Sequence, residues 1–106
     1  MPLTFKNFRI QCLKCGKIRQ VSREDFVEEM GSEERSMGPE IHYNWIFESD
    51  CENSNCAHPI RVELDAWEYP LGIVNYHEKR IDGAFFIESP NIEVVQEEVE
   101  DDETAQ

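Results

Sequence analysis

The sequence predicts a small, mainly β domain of the α+β type, with one short helix and an extra C-terminal hairpin. Several segments alternate apolar and polar residues with the period of a β-strand. The chain has 106 residues, enough for one domain and too few for two ordinary ones. Its four cysteines form two short pairs, Cys12 with Cys15 and Cys51 with Cys56. Two such pairs, well separated, have the spacing of a four-thiolate metal site that ties two parts of a chain together.

The N-terminal segment is predicted to form two strands around the first cysteine pair. Apolar residues flank the pair on both sides: Phe5, Phe8, Ile10, Ile18 and Val21. Gly16 comes directly after Cys15. A glycine at this point can adopt a positive φ, which lets backbone amides turn towards the sulfur atoms. The first pair is therefore expected in a tight turn between two strands.

A short helix is predicted over residues 22–31. Ser22 and Asp25 have the spacing of a capping box, and Gly31 is a plausible C-terminal stop. Three apolar residues between them lie at helical spacing: Phe26, Val27 and Met30. Residues 31–40 contain two glycines, two serines and a proline, which predicts a loop.

Two longer alternating segments surround the second cysteine pair. Residues 41–47 lead into the pair and residues 60–66 follow it, and both alternate with a period of two. The second pair is therefore also expected at the tip of a hairpin. Trp45 and Phe47 are expected in the core, because aromatic side chains supply most of the buried area in a small sheet.

The C-terminal part is predicted to add a hairpin. Residues 73–79 and 84–88 read as strands, and Asp82 with Gly83 between them is a hairpin signal. Residues 92–95 are expected to add a last short strand. Residues 1–95 would then form one domain with a C-terminal β extension.

Charge is distributed unevenly along the chain. Residues 1–23 carry six bases and no acid, whereas residues 24–106 carry four bases and all 23 acids, for a net charge of −13. Six of the acids fall between positions 97 and 103. A block of like charge with almost no apolar content is typical of a solvated segment, so residues 96–106 are predicted to be a disordered acidic tail.

No apolar run is long enough to cross a membrane, and residues 1–6 lack the apolar stretch of a signal peptide. We therefore expect a cytoplasmic protein with no membrane partner. In a reducing compartment, paired cysteines are more often metal ligands than disulfides. Two disulfides, a redox-active Cys-x-x-Cys and an iron site remain open as alternatives to zinc.

The two cysteine pairs on two hairpins resemble the zinc-ribbon, or rubredoxin-like, class of domains over about residues 5–66. The segment from Cys12 to Lys17 matches the usual knuckle, in which two cysteines are followed by glycine and a base. The second pair departs from it, since Cys51 and Cys56 enclose four residues where two are usual. The resemblance implies a structural Zn²⁺ held by four ligands: Cys12, Cys15, Cys51 and Cys56. It implies no single function.

The sequence favours a protein that is not an enzyme. Four cysteine ligands fill a tetrahedral shell, and no Ser/His/Asp signature, phosphate-binding loop or His-Glu-x-x-His motif occurs. We expect a protein-interaction module, such as an inhibitor or accessory subunit, whose acidic surface attracts a basic partner. The alternative is a nucleic-acid-binding ribbon that uses the basic N-terminal segment, although the net charge disfavours it.

Six residues are candidates for contacts with a partner or with phosphates: Lys14, Lys17, Arg19, Arg23, Trp67 and Tyr69. The bases have a structural interpretation as well, because four thiolates around Zn²⁺ leave a net charge of −2 that nearby cations can offset. The two aromatic residues sit at a predicted strand end beside a proline, where a core role and an exposed role are about equally supported.

Overall fold

The computed structural model describes residues 3–95, and 63% of it is strand and 3% helix. The prediction of a mainly β chain is confirmed. The described strands are β1 (Leu3–Phe5), β2 (Phe8–Cys12), β3 (Ile18–Val21), β4 (Val27–Arg35), β5 (Gly38–Asp50), β6 (Pro59–Glu68), β7 (Val74–Asp82), β8 (Ala84–Phe86) and β9 (Ile92–Val94). The predicted tail, residues 96–106, lies outside the described residues.

The strands form three antiparallel sheets. The largest has the order β4-β5-β6-β7, a smaller one has the order β3-β2-β8, and β1 pairs with β9. In the large sheet, β5 pairs with β6 from Ile41 opposite Glu68 to Asp50 opposite Pro59. No helix in the part of the chain that the structure describes is long and apolar enough to span a membrane.

The core lies between the large sheet and the two small ones. Trp45 and Phe47 on β5 are buried as predicted, with exposed fractions of 0% and 5%. Phe5 of β1 meets the Trp45 ring edge-on, with 5.1 Å between ring centroids, and Phe26 packs against Phe47 at 5.6 Å. The other large buried side chains include Leu3, Phe8, Ile10, Val21, Tyr43, Val62 and Leu64.

The predicted helix over residues 22–31 is wrong. The capping signal is real, because Asp25 Oδ2 accepts a hydrogen bond from the Ser22 N–H at 2.9 Å. It marks a single 3-10 turn, Arg23–Asp25, and the chain then enters β4. An isolated helix of two turns is marginal in water, whereas β4 gains a ladder of nine residue pairs along β5.

The predicted loop over residues 31–40 is wrong for the same reason. β4 and β5 form one long hairpin whose strands pair from Val27 opposite Ile46 to Arg35 opposite Gly38. The turn consists of Ser36 and Met37 alone.

The predicted C-terminal hairpin is also wrong, although the strands themselves are present. β7 pairs with β6, whereas β8 pairs with β2, so Asp82 and Gly83 form a corner between two sheets. Gly83 has φ +83°, and a Cβ there would lie 2.1 Å from the Pro59 carbonyl oxygen. The glycine serves a close backbone approach and not a two-residue hairpin turn.

Replacing Gly83 by alanine should destabilise the protein by about 2–4 kcal/mol, because the new methyl group meets backbone at a positive φ. Gly31→Ala is the matched control, since nothing lies within 4 Å of its Cβ position. The control should change the free energy of unfolding by less than about 0.5 kcal/mol. Chemical denaturation measures both. Equal stability of the two variants would contradict the tight corner.

Candidate metal centre

The four cysteines meet where the tips of two hairpins approach each other. Cys12 and Cys15 lie at the β2–β3 turn, and Cys51 and Cys56 lie in the loop between β5 and β6. Their four Sγ atoms all lie within 4.8 Å of one another, so the group could hold a metal ion. The metal-ligand set predicted from the sequence is thus brought together from two separate sheets.

The sulfur–sulfur distances fit a tetrahedral metal site. Cys12 Sγ lies 3.8 Å from Cys56 Sγ, and Cys15 Sγ lies 3.5 Å from Cys51 Sγ. Sulfurs at about 2.3 Å from a tetrahedral metal are about 3.8 Å apart. A disulfide requires about 2.05 Å, and all four cysteines are free. The donor set is also the right type, because thiolates favour zinc or iron.

The first cysteine loop is a tight turn closed by backbone hydrogen bonds. The Cys12 N–H donates to the Lys17 carbonyl and the Gly16 N–H donates to the Cys12 carbonyl, both at 3.0 Å. Gly16 has φ +82°, the positive value expected from the sequence. The Lys14 N–H points at Cys12 Sγ at 3.4 Å. The turn therefore directs backbone donors at a sulfur.

The second cysteine loop is wider because it contains its own turn. The N–H groups of Cys56 and Ala57 both donate to the Asn53 carbonyl, at 2.8 and 2.9 Å. The Cys51 N–H donates to the His58 carbonyl at 2.8 Å and closes the loop at its base. This inner turn accounts for the four residues between Cys51 and Cys56.

The four thiols differ in acidity because they accept different hydrogen bonds and have different effects on one another's ionisation. Backbone N–H groups, that of Cys15 above all, lower the pKa of Cys12 to about 6 against the effect of burial. The Lys17 N–H likewise lowers the pKa of Cys15. At Cys51, the Asn53 N–H acts in the same direction, but burial and the neighbouring thiols outweigh it and raise the pKa to about 12.

Burial raises the pKa of Cys56 as well, together with the sulfurs of Cys15 and Cys12. The cluster therefore has two thiols that ionise readily and two that resist. Four thiolates can coexist there only beside a cation, whose charge offsets their mutual repulsion.

The four candidate basic residues do not form one surface. Lys14 and Lys17 are exposed on the first cysteine loop. Arg19 instead joins the two hairpins: its Nε lies 3.5 Å from a Glu52 carboxylate oxygen and its guanidinium lies 4.9 Å from the Phe47 ring centroid. Arg23 bonds to Glu28 on β4. Arg19 and Arg23 are thus engaged in contacts within the chain.

The two candidate aromatic residues are half-buried, and the fold does not bring them to the cysteines. The Trp67 ring stacks on His42, with 4.5 Å between centroids and 6° between planes. The Tyr69 hydroxyl accepts a hydrogen bond from the Met37 N–H at 3.0 Å, at the turn of the β4–β5 hairpin. Both lie at the end of the large sheet opposite the second cysteine loop.

A polar network on the outer face of the large sheet was not foreseen from the sequence. Asp65, 6% exposed, lies 2.9 Å from both His42 Nε2 and Asn44 Nδ2. Glu63 accepts from Asn44 at 2.9 Å and pairs with Arg80 at 3.0 Å. The alternation along β5 and β6 indicates that these residues share the outer face of the sheet. With 23 acids in the sequence, no particular carboxylate could be singled out.

Cys51→Ser should abolish stoichiometric metal binding and destabilise the domain severely, because structural metal binding supplies on the order of 10 kcal/mol of folding free energy in small domains. Ser54→Ala, an exposed change in the same loop, should keep both metal and stability. Metal content and thermal unfolding of purified protein report the result. A Cys51→Ser protein with full metal content and unchanged unfolding temperature would refute the assigned ligand set.

The lowered pKa of Glu63 predicts that the stability of the fold depends on pH. Hydrogen bonds from Asn44 and then Arg80 lower the pKa of Glu63 from 4.5 to about 2. Since the folded pKa is depressed, this group stabilises the fold above about pH 4.5, and its contribution disappears as the pH falls to about 2. Glu63→Gln should therefore be less stable by about 1–3 kcal/mol at pH 7, with the difference shrinking below about pH 4.5 and vanishing only near pH 2.

Denaturation of wild type and Glu63→Gln at each pH at which both proteins remain folded measures the difference. Glu29→Gln, an exposed change on β4, controls for the loss of one carboxylate. A Glu63→Gln difference that is constant between pH 2 and 7 would contradict the depressed pKa.

The chain was compared with known proteins by sequence and by structure. No family model, no curated protein and no solved structure matches it. The resemblance to zinc ribbons therefore rests on the two cysteine pairs and the hairpins that carry them. The function has to be argued from the chemistry of this centre and from the surface around it.

Proposed function

We propose that the chain is a non-catalytic zinc-binding protein that acts as a protein-interaction module. The observation that carries this proposal is the cluster of four sulfur atoms within 4.8 Å of one another, held by hairpins from two different sheets. Cysteine pairs at the tips of two hairpins support the zinc-ribbon class. The wider second loop is the feature that departs from that class.

Zinc is the proposed occupant because four thiolates at near-tetrahedral separations suit it. When bound, Zn²⁺ would offset part of the thiolate charge and cross-link the two hairpins. The residues that would hold it are Cys12, Cys15, Cys51 and Cys56. Iron is the competing occupant of the same donor set, and metal analysis of protein purified without added metal separates the two.

A structural and not a catalytic role follows from the ligand count. Catalytic zinc sites keep a coordination position for water or substrate, whereas four protein thiolates fill the tetrahedron. Gly16, Lys14 and Asn53 use their backbone groups to shape the two loops around the sulfurs. These contacts support a four-coordinate site without a position open to water or substrate.

The surface supports a basic protein as the partner. The net charge of −13 creates a negative field that speeds encounter with a positively charged surface and repels acidic ones. Such a protein could act as an inhibitor or as an accessory subunit. Several large apolar side chains are also exposed, Val27, Met30 and Tyr76 among them, which supports contact with a partner.

A nucleic-acid-binding ribbon is the second candidate, and exposed Lys14 and Lys17 on the first cysteine loop favour it. Arg19 and Arg23 weaken it, because each is already paired with a glutamate. Exposed Lys6, Lys14 and Lys17, set against a net charge of −13, would neutralise few phosphates.

Affinity purification of the tagged chain from its own host tests the module. A basic protein should be recovered together with zinc-loaded chain, and recovery should fall in about 0.5 M salt, where screening shortens the reach of the negative field. A chain recovered only as a free monomer would count against the proposal. Salt-dependent binding to DNA or RNA that Lys14→Glu with Lys17→Glu abolishes would favour the alternative instead.

A further inference from the structure

The β4 strand forms an open edge of the large sheet. Among residues 3–95 it pairs with β5 alone, and all nine of its residues are exposed. A strand uses only part of its backbone N–H and C=O groups on one neighbour, so an edge strand presents the rest to solvent. Nine residues give an open edge about 30 Å long. This is long enough for another extended chain to add to the sheet.

Hollows flank this edge on both faces of the sheet. On the inner face, Met30 of β4 lines a hollow of about 460 Å³ together with Leu3, Tyr43 and Val95. On the outer face, a hollow of about 250 Å³ is lined by residues that include Gly31, Glu33, His42 and Trp67. Successive side chains of a strand point to opposite faces. An added strand would therefore place its side chains alternately beside the two hollows.

The two hollows differ in chemistry. Met30, Leu3 and Val95 make the inner one largely apolar. In the outer one, the His42 ring on β5 covers the face of Trp67 that is turned towards β4. The carboxylate of Glu33, whose side chain is 75% exposed, lies 3.9 Å from Arg35. An exposed carboxylate attracts a lysine or arginine side chain. The inner hollow suits an aliphatic side chain.

The charge of β4 excludes several occupants. The strand carries four glutamates against one arginine: Glu28, Glu29, Glu33, Glu34 and Arg35. Pairing of two copies along β4 would bring like charges together, which is destabilising across strands. The acidic segment 97–103 of the same chain would be repelled likewise. A basic strand from a different protein meets neither obstacle.

We propose that the β4 edge binds an extended basic segment of another protein by β-strand addition, with its cationic side chains beside Glu29 and Glu33 and its apolar side chains towards Met30. This inference rests on the proposed function and specifies the partner's chemistry and the surface that receives it. If the glutamates of β4 served only to keep the edge unpaired, a basic peptide would be attracted to the acidic surface without slowing hydrogen exchange in residues 27–35.

The test uses the full-length, metal-loaded protein and a nine-residue synthetic peptide that alternates lysine and valine. Two control peptides have glutamate in place of lysine, or a proline at every third position to prevent strand pairing. The basic peptide should bind at least about tenfold more tightly than either control. Amide NMR shifts and slowed hydrogen exchange should appear in residues 27–35. Equal binding of all three peptides, or shifts confined to β7, would overturn the proposal.

Two charge-reversed variants localise the binding. Glu29→Lys with Glu33→Lys should weaken the basic peptide by at least about tenfold. The matched control, Glu78→Lys with Asp82→Lys, makes the same change in net charge on β7, at the opposite edge of the sheet, and should weaken it by less than about threefold. Circular dichroism and metal content verify that both variants fold. An equal loss in both variants would show diffuse attraction to an acidic surface and overturn the proposal.

The same variants separate this inference from the proposed function. If the natural partner is recovered with wild type and with Glu29→Lys/Glu33→Lys alike, the β4 site is wrong while the interaction module stands. If it is recovered with wild type and with the Glu78→Lys/Asp82→Lys control only, both are supported. If wild type recovers no partner while the basic peptide still binds β4 selectively, the edge is a binding site and the proposed module is what fails.

Discussion

The arrangement of the sheets depends on the contact between the tips of the two cysteine-bearing hairpins. One hairpin belongs to the three-stranded sheet and the other to the large sheet, so the four sulfur atoms lie at a junction between sheets. Four thiols at this distance cannot all ionise without a compensating cation, and the opposite shifts in pKa of Cys12 and Cys51 express that conflict. A metal ion bound to the four sulfur atoms would resolve the conflict and would link the two sheets. The salt bridge of Arg19 with Glu52 spans the same junction.

The thin shape of the described part of the chain explains why a metal link between the sheets would stabilise the fold. The described residues span 53 × 36 × 18 Å, and the shortest dimension leaves room for one thin layer of side chains between sheets. Aromatic rings fill much of that layer, with Phe5 against Trp45 and Phe26 against Phe47. A thin core limits the apolar area that can be buried, and a structural metal is one of the ways in which small domains compensate.

Those parts of the fold whose signal is local could be predicted from the sequence. Alternation identified β5 and β6, and the spacing of the cysteines identified the cluster. β4 was misread because its local signal, a capping box followed by three apolar residues, is that of a helix, while its pairing with β5 is tertiary. The corner at Gly83 was misread because a hairpin turn and a close backbone approach both need a glycine with positive φ. The network around Asp65 could not be singled out, since a carboxylate in an acidic sequence becomes distinctive only once its neighbours are known.

The corner at Gly83 has a consequence for how the metal centre assembles. The Gly83 carbonyl accepts a hydrogen bond at 3.1 Å from the N–H of Leu13, between the first two cysteines. The Cα of Gly83 packs against the carbonyl group of Pro59, at the start of the strand that follows the second cysteine pair. One residue between β7 and β8 thus touches the backbone of both hairpins from outside the cluster. Contacts within the protein therefore align the two cysteine pairs independently of any metal ion. Such preorganisation would reduce the chain entropy that is lost when a metal ion binds the four cysteines.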